Sequence, residues 1–350
     1  MIASADAAGT AVVSLVDETG KTITSTTFTP PKLAVIGNAA AIRQYPVQVA
    51  AGAAYFADAE GVVRRIGRNG KVSTITTFPV RSAQDELSFA VSPDGSHLLA
   101  SILSTPPLHV PPPATLGDPV FAEGGHWSLQ LFTATPGSSP VSTLQKDLGT
   151  TPTPTVVVGW DSNGPLASVN TALGSQNPSS LRFAGDQLIH IGSDGTHLDQ
   201  VGGTNCLPRD ELLDGTVLCQ VGTGFPSYEV RRADGGLVWQ ADNGGQGLFD
   251  LRLSPDGRRF TAVLPGVAPP TGGNKIFTSG APPGGVALGA TSGAAQTEAV
   301  GWLDPGTVVL AAGLPFYLNV SQGFPLSLVN VDDPGRERPL GITGDFVGVI

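Results

Sequence analysis

The chain of 350 residues carries 46 Gly and 30 Pro, yet 40% of its residues are hydrophobic. These proportions predict many turns around a substantial core and exclude a disordered chain, which lacks the apolar residues that a core requires. The formal net charge of −10 at pH 7, with no cluster of Lys and Arg in the sequence, argues against a nucleic-acid-binding protein.

The N-terminal stretch MIASADAAGT lacks the charged segment and the long apolar segment of a secretory signal peptide. No apolar run in the sequence approaches the roughly 18 residues of a membrane-spanning helix. The abundance of Thr, Ser, Gly and Pro is typical of exported proteins. We therefore expect an extracytoplasmic protein, secreted, periplasmic or cell-surface, whose leader has been removed; a cytoplasmic location is the alternative.

Four segments along the chain share one pattern, in which large apolar residues stand six and four positions before a turn glycine. The pairs are Phe89 and Val91 before Gly95, Val158 and Trp160 before Gly164, Leu251 and Leu253 before Gly257, and Val300 and Trp302 before Gly306. A spacing of two places both side chains on one face of a strand. Because a second apolar strand follows each turn, each segment is predicted to be a β-hairpin.

A second family of turns alternates with the first. Its glycines are Gly20, Gly70, Gly137, Gly195, Gly235, Gly284 and Gly335. Two alternating hairpins roughly every fifty residues form a four-stranded unit, which is the blade of a β-propeller. We predict an all-β fold, a β-propeller of seven four-stranded blades in a single domain spanning residues 1–350. Six or eight blades are the alternatives in number, and a pair of β-sandwiches is the alternative architecture.

The two ends of the chain are predicted to share one blade. TAVVSLVDETGKTITSTTF near the N-terminus supplies its outer strands, and GDFVGVI at the C-terminus supplies an inner strand. Pairing of the N- and C-terminal strands would close the ring, since an open ring leaves a bare strand edge.

The connections between the second and third strands of the blades are long, whereas those inside each hairpin are tight. The longest is a Pro-rich loop insertion at residues 104–126. Function concentrates on loops held by a rigid scaffold, and aromatic side chains are favoured at binding surfaces. The predicted ligand-binding residues of this loop-rich face are His109, Phe121, Glu123, His126, Trp127, Phe225, Tyr228, Phe316, Tyr317 and Phe324. Packing of these side chains onto the blades is the alternative.

The two cysteines, Cys206 and Cys219, lie on the two strands of one predicted hairpin. A turn centred on Asp214 and Gly215 sets Cys206 opposite a residue beyond Cys219, so a disulfide needs a β-bulge, which Pro208 could cause. Two free buried thiols are the alternative.

The sequence lacks the linear motifs of hydrolases, metalloproteases and nucleotide-binding proteins, and no metal site or cofactor is predicted. Its five histidines are scattered, and the aspartates of the turns lack the close spacing of calcium ligands. Acid/base residues of a propeller enzyme come from different blades, so catalysis stays open. The set for that alternative is Asp85, Glu86, His109, Glu123 and His126.

SFAVSPDGSHLLA and DLRLSPDGRRFTA resemble the repeat of the TolB-type, WD-like extracytoplasmic β-propellers. WDSNGP, LLDGTV and LDPGTV resemble it more loosely. The resemblance implies an extracytoplasmic location and partner binding. We expect a non-enzymatic binding or scaffold propeller, a monomer, that recognises a protein, peptide or glycan through its loop-rich face and central channel. A propeller-type hydrolase or lyase with acid/base residues at the channel mouth is the alternative.

Overall fold

The computed structural model describes residues 2–5, 10–30, 47–82, 84–109, 120–121, 125–150, 155–169, 187–222, 226–264, 273–288, 297–312 and 324–350. Its contacts divide the chain into two compact units. One unit comprises residues 28–178, 183–199 and 350, and the other comprises residues 1–27, 179–182 and 200–349. The regular elements in the described ranges are β-strands.

The unit that begins at Phe28 contains three four-stranded antiparallel sheets, here called blades 1 to 3. Blade 1 consists of β4 (Val47–Ala50), β5 (Ala53–Ala57), β6 (Val62–Gly67) and β7 (Val72–Thr77). Blade 2 consists of β8 (Asp85–Val91), β9 (Leu98–Ser104), β12 (Trp127–Ala134) and β13 (Val141–Gly149), with the separate pair β10 (Leu108–His109) and β11 (Val120–Phe121) between β9 and β12. Blade 3 consists of β14 (Thr155–Trp160), β15 (Pro165–Val169), β16 (Gln187–Ile191) and β17 (His197–Gln200).

The other unit contains blades 4 to 6 and the N-terminal strands. Blade 4 consists of β18 (Leu207–Glu211), β19 (Val217–Val221), β20 (Ser227–Arg231) and β21 (Leu237–Ala241). Blade 5 consists of β22 (Phe249–Leu253), β23 (Arg259–Leu264), β24 (Gly273–Thr278) and β25 (Val286–Ala287). Blade 6 consists of β26 (Thr297–Asp304), β27 (Thr307–Ala312), β28 (Phe324–Asn330) and β29 (Glu337–Phe346), and its sheet continues through β1 (Ile2–Ala5), β2 (Ala11–Val16) and β3 (Thr22–Phe28).

The sheets repeat one topology, in which each strand pairs with the next along the chain, as in a β-propeller. The predicted all-β propeller is therefore confirmed. The described residues form six complete four-stranded blades, one fewer than the seven predicted and equal to the lower alternative. The predicted pairing of the chain ends is also confirmed, since Ile2 and Ala3 of β1 pair with Phe346 and Asp345 of β29.

The repeated SPDG sequence folds into the same turn in blades 2 and 5. Gly95 and Gly257 adopt positive φ angles of 74° and 66°, which glycine tolerates best. The hydroxyl of Ser92 donates to Asp94 at 2.6 Å and accepts the backbone N–H of His97 at 2.9 Å. Ser254 makes the equivalent contacts to Asp256 and Arg259, at 2.7 and 2.9 Å. The repeat thus marks the tight reversal between the first two strands of a blade.

The apolar pairs predicted from the sequence face the core in these two blades. Phe89 and Val91 lie in one hydrophobic cluster with Ala100 and Ile102, and Leu251 and Leu253 lie in another. In blades 3 and 6 the register shifts between Val157 and Gly159 and between Ala299 and Gly301. Val157 and Ala299 are fully buried there, and Val158 and Val300 are only half-buried. A β-bulge changes which residues of a strand face the core, and the sequence pattern does not show where a bulge occurs.

Candidate functional site

In blades 2, 3, 5 and 6 the longest connection between strands lies at one end of the blade, here called the loop end. At this end the second strand leads to the third, from Ser104 to Trp127 in blade 2 and from residue 169 to 187 in blade 3. The links from residue 264 to 273 in blade 5 and from 312 to 324 in blade 6 have the same position. Because the strands are antiparallel, the tight hairpins between strands one and two and between three and four lie at the opposite end.

The largest connection, the predicted insertion at residues 104–126, contains a short hairpin in which Leu108 pairs with Phe121 and His109 with Val120. This pairing defines the backbone positions of two predicted ligand-binding residues, His109 and Phe121. The side chains of these two residues lie outside the described part of the chain, as do Glu123, Phe225, Phe316 and Tyr317.

Three of the predicted ligand-binding residues pack into the blades. Trp127 and Tyr228 are 3% and 1% exposed, and Phe324 packs partly buried against the core of blade 6. The hydroxyl of Tyr228 accepts the N–H of Leu248 at 2.7 Å and donates to its carbonyl at 3.3 Å. These three side chains anchor the loop end to the blades.

His126 is exposed at the loop end of blade 2, beside Asp147. Its Nδ1 lies 3.4 Å from the Asp147 carboxylate. The backbone N–H of Gly149 and the His126 ring together hold the pKa of Asp147 below its ordinary value. Among the described side chains of the predicted set, His126 is the one open to a ligand.

The base of the insertion is fixed by Asp85, a member of the alternative acid/base set. One carboxylate oxygen of Asp85 accepts the Ser104 hydroxyl at 2.7 Å, and the other accepts the N–H groups of Arg81 and Ser82 at 2.8 and 3.1 Å. Burial raises the pKa of Asp85, but these hydrogen bonds outweigh it and hold the pKa below its ordinary value. Asp85 is thus an ionised anchor. Glu86 follows it on β8 and is half-buried.

A carboxyl pair that we did not predict, Asp250 and Glu298, occupies the loop ends of β22 and β26. The two side chains are hydrogen-bonded to each other, and the residues are 3% and 6% exposed. Asp250 has a φ of 50°, within a stretch where the register of β22 shifts between Phe249 and Arg252. This β-bulge turns Asp250 toward β26.

The carboxyl pair shares a proton at neutral pH. Burial, followed by the negative charge of Asp250, raises the pKa of Glu298 to about 8, against the opposing charge of Arg252. Burial also raises the pKa of Asp250, against the lowering effects of Arg252 and of the hydrogen bond from Glu298. Glu298 is therefore protonated at pH 7 and donates to the Asp250 carboxylate.

The strands that carry the carboxyl pair are held by further buried hydrogen bonds. The amide of Asn274 donates to the Thr297 carbonyl at 2.7 Å and accepts the Ala299 N–H at 2.9 Å, on either side of Glu298. Trp302 Nε1 donates to the carbonyl of Arg252 at 3.0 Å. Because a substrate cannot reach atoms this deeply enclosed without movement of the strands, we assign the pair a structural role.

The sequence contains a signal for this pair. Asp250 and Glu298 each directly precede an apolar residue of the first strand, in two consecutive repeats. The repeat was defined by its apolar positions alone, so it did not identify either carboxyl residue.

A buried histidine, His190 on β16, lies between two aspartates in blade 3. Its Nδ1 is 2.8 Å from Asp199 and its Nε2 is 3.0 Å from Asp161. Burial lowers the pKa of His190, but the hydrogen bonds and charges of Asp161 and Asp199 outweigh it and raise the pKa above its ordinary value. The imidazolium thus compensates the charge of the buried Asp161 and also pairs with the exposed Asp199.

Cys206 and Cys219 form a disulfide with a Cα–Cα distance of 4.9 Å. The expected β-bulge is present, since the register of β18 shifts between Pro208 and Asp210. Arg209 lies in the bulge and donates from Nε to Gln220 at 3.0 Å. The bulge and the bridge together fix the entry of the first strand of blade 4.

The described ranges contain no group of three or more His, Cys, Asp or Glu side chains arranged to hold a metal ion. Within the same ranges, no helix is long and apolar enough to cross a membrane.

Comparison with known proteins identifies the fold without a family. No protein-family model matches the chain, and no curated protein matches it. Dipeptidyl peptidase 4 of Porphyromonas gingivalis superposes with a TM-score of 0.50 and 8% identity, over 83% of this chain and 44% of that protein. A prolyl endopeptidase superposes with a TM-score of 0.45 and 13% identity, over 85% and 43%. The C-terminal WD40 domain of Sif2 does so with a TM-score of 0.41 and 11% identity, over 88% of each chain.

This chain thus spans less than half the length of the two peptidases. The superposition on dipeptidyl peptidase 4, at 8% identity, shows a shared fold alone. The site must be interpreted from its own residues.

Proposed function

We propose that this protein is a non-enzymatic binding propeller, acting as a monomer, that recognises a protein, peptide or glycan at the loop ends of its blades. The position of the long connections carries the proposal, because every connection of about ten residues or more within a described blade lies at the loop end. The hairpin connections at the opposite end of the described blades have at most seven residues and offer less variable surface.

The anchoring of the largest connection supports this proposal. Ser104 and Ser128 are cross-strand partners at its base, Asp85 holds Ser104, and Trp127 is buried beside it. A connection fixed at its base loses less conformational entropy when it binds a ligand. The exposed His126 and Asp147 flank the same base and supply polar contacts.

An extracytoplasmic location is part of the proposal. The disulfide between Cys206 and Cys219 supports it, since disulfides persist in oxidising compartments. The SPDG turns in blades 2 and 5 support a relationship to the TolB-type repeat. Cell fractionation tests the location, and recovery of the protein from the cytoplasm with both thiols reduced would contradict it.

A short-loop variant tests the binding proposal. Residues 106–126 are replaced by Asn-Gly, which forms a two-residue β-turn between the opposed ends of β9 and β12. The matched control replaces the exposed Pro282 and Pro283, in the hairpin turn of blade 5, by Ser. Peptide arrays, glycan arrays and crosslinking capture from the native source measure binding.

We expect the wild type and the Pro282/Pro283 control to bind the same ligand and the short-loop variant to lose at least tenfold in affinity. Equal binding by the short-loop variant contradicts the proposal. Should the short-loop variant not fold, His126→Ala replaces it, with a smaller expected loss of about threefold to tenfold for one contact. Cleavage of the ligand by the wild type but not by Glu86→Gln, a member of the alternative acid/base set, would instead support the hydrolase or lyase alternative.

A further inference from the structure

The inner strands of blades 5 and 6 meet through buried polar side chains at two levels. At the loop end, Glu298 of β26 donates to Asp250 of β22. Toward the opposite end, Trp302 of β26 donates to the Arg252 carbonyl at 3.0 Å. The contact of Trp302 with the Arg252 carbonyl involves no titratable side chain. The contact of Glu298 with Asp250 depends on one proton.

We propose that the Asp250–Glu298 pair is a pH-sensitive latch that joins the first strands of blades 5 and 6 at their loop end and releases them when the shared proton leaves to solvent. With the proton in place, the pair carries one negative charge and an internal hydrogen bond. Without it, two carboxylates face each other in a buried position, and like charges in such a position repel strongly.

The surroundings of the Asp250–Glu298 pair do not compensate a second negative charge. Arg252 is the cation that acts on both carboxyls, and its Nη1 donates to the Leu251 carbonyl at 2.8 Å. One guanidinium balances one carboxylate. The backbone on both sides of Glu298 is hydrogen-bonded to Asn274, which holds this part of β26 in place around the buried side chain.

Other ionisable groups lie on the strands that contact β22 and β26: Arg209, Asp210, Glu211, Arg259, Lys275, Glu337, Arg338 and Asp345. Asp210 accepts the N–H of Leu253 at 2.7 Å, three residues beyond Asp250. Lys275 lies on the opposite face of β24 from Asn274, because neighbouring residues of a strand alternate. Arg259 and Arg338 donate to the carbonyls of Pro305 and Glu18. Arg252 is therefore the compensating charge.

The direction of the pH effect follows from linkage. The pKa of Glu298 rises from 4.5 to about 8 on folding, so the folded state binds the extra proton. The contribution of Glu298 to the free energy of unfolding is complete below pH 4.5. It declines as the pH rises from 4.5 to about 8, and it does not change further above that pH. In that window the unfolding equilibrium constant grows by at most about tenfold per pH unit.

Two measurements on the full chain test the latch. Denaturant unfolding at pH 6, 7, 8 and 9 compares the wild type with Glu298→Gln, which keeps an N–H donor for Asp250 but does not titrate. Glu60→Gln, at an exposed turn of blade 1, is the matched control. Hydrogen exchange under native conditions, corrected for the intrinsic pH dependence, follows peptides that contain Ala299 and, for comparison, Leu310 of β27.

We expect the unfolding equilibrium constant of the wild type, relative to Glu298→Gln, to rise at least tenfold between pH 6 and 9, with Glu60→Gln following the wild type. We expect Ala299 to lose protection over this range while Leu310 retains it, and Glu298→Gln to keep both. Parallel pH profiles of the wild type and Glu298→Gln overturn the latch. Equal loss of protection at Ala299 and Leu310 also overturns it, because it indicates global unfolding. Should Glu298→Gln not fold, Asp250→Asn must show a smaller pH effect than the wild type, and an equal effect overturns the latch.

Discussion

His190 shows how a buried charge depends on two neighbours that are distant in sequence. Asp161 lies in the turn after β14 and Asp199 lies on β17, and both accept a hydrogen bond from the ring of His190. Removal of one partner from a buried ion pair leaves the other charge without compensation, which is more costly than the net contribution of the pair.

Replacement of His190 by Gln should lower the free energy of unfolding by about 3 kcal/mol at pH 6, because Asp161 then stays buried without its cation. The folded-state pKa of His190 is raised above 6.5, so its stabilisation is present below pH 6.5 and is lost as the pH rises through the raised pKa. Denaturant unfolding at pH 6 and pH 9 checks this, and the destabilisation should be smaller at pH 9. A destabilisation that does not change with pH would show that the imidazolium does not carry the effect.

The sequence predicted residue roles well where a local rule applied. The Gly and Asp residues of the turns lie where the repeat placed them, because turn chemistry depends on adjacent residues. His190 was one of five scattered histidines and had no predicted role, and Asp250 and Glu298 were not considered. Their burial and partners arise from contacts between strands far apart in the chain, which local patterns do not encode.

At the scale of single strands, β-bulges explain most differences between prediction and structure. The bulges in β14 and β26 bury Val157 and Ala299, and the bulge in β22 gives Asp250 its positive φ. The bulge in β18 was anticipated as the condition for a disulfide between the two cysteines, with Pro208 as its cause. A β-bulge is predictable in a strand whose residues carry such a signal, and it is not predictable in a strand without one.

The disulfide of blade 4 yields a prediction at this scale. Replacement of both Cys206 and Cys219 by Ser should lower the free energy of unfolding by about 3 kcal/mol, since the bridge closes a short loop in the unfolded chain. Urea unfolding of the double variant measures the loss. The wild type in the presence of a reductant serves as the control and should match the variant. Equal stability of the variant and the oxidised wild type would show that the bridge contributes nothing.

At the scale of the whole molecule, the described residues form one complete blade fewer than the seven predicted, for an identifiable reason. The seven glycine turns include Gly20, which joins β2 to β3. These strands belong to the sheet of blade 6, because β1 pairs with both β2 and β29. The repeat predicted the hairpins and the pairing of the chain ends, but a turn count does not show which sheets are separate. The predicted loop aromatics divide between buried or partly buried packing residues and residues whose side chains the structure does not describe.

The account depends on a propeller whose first and last strands pair. Cysteines introduced at Ala3 and Asp345, which are cross-strand partners, test this pairing most directly. Mild oxidation followed by peptide mapping under non-reducing conditions should recover the new disulfide beside Cys206–Cys219. Ala3 pairs near the C-terminal end of β29, whereas Arg336 directly precedes its first residue, so a control with cysteines at Ala3 and Arg336 should keep both thiols free. Free thiols at positions 3 and 345 in the folded protein would contradict the paired ends and the propeller built on them.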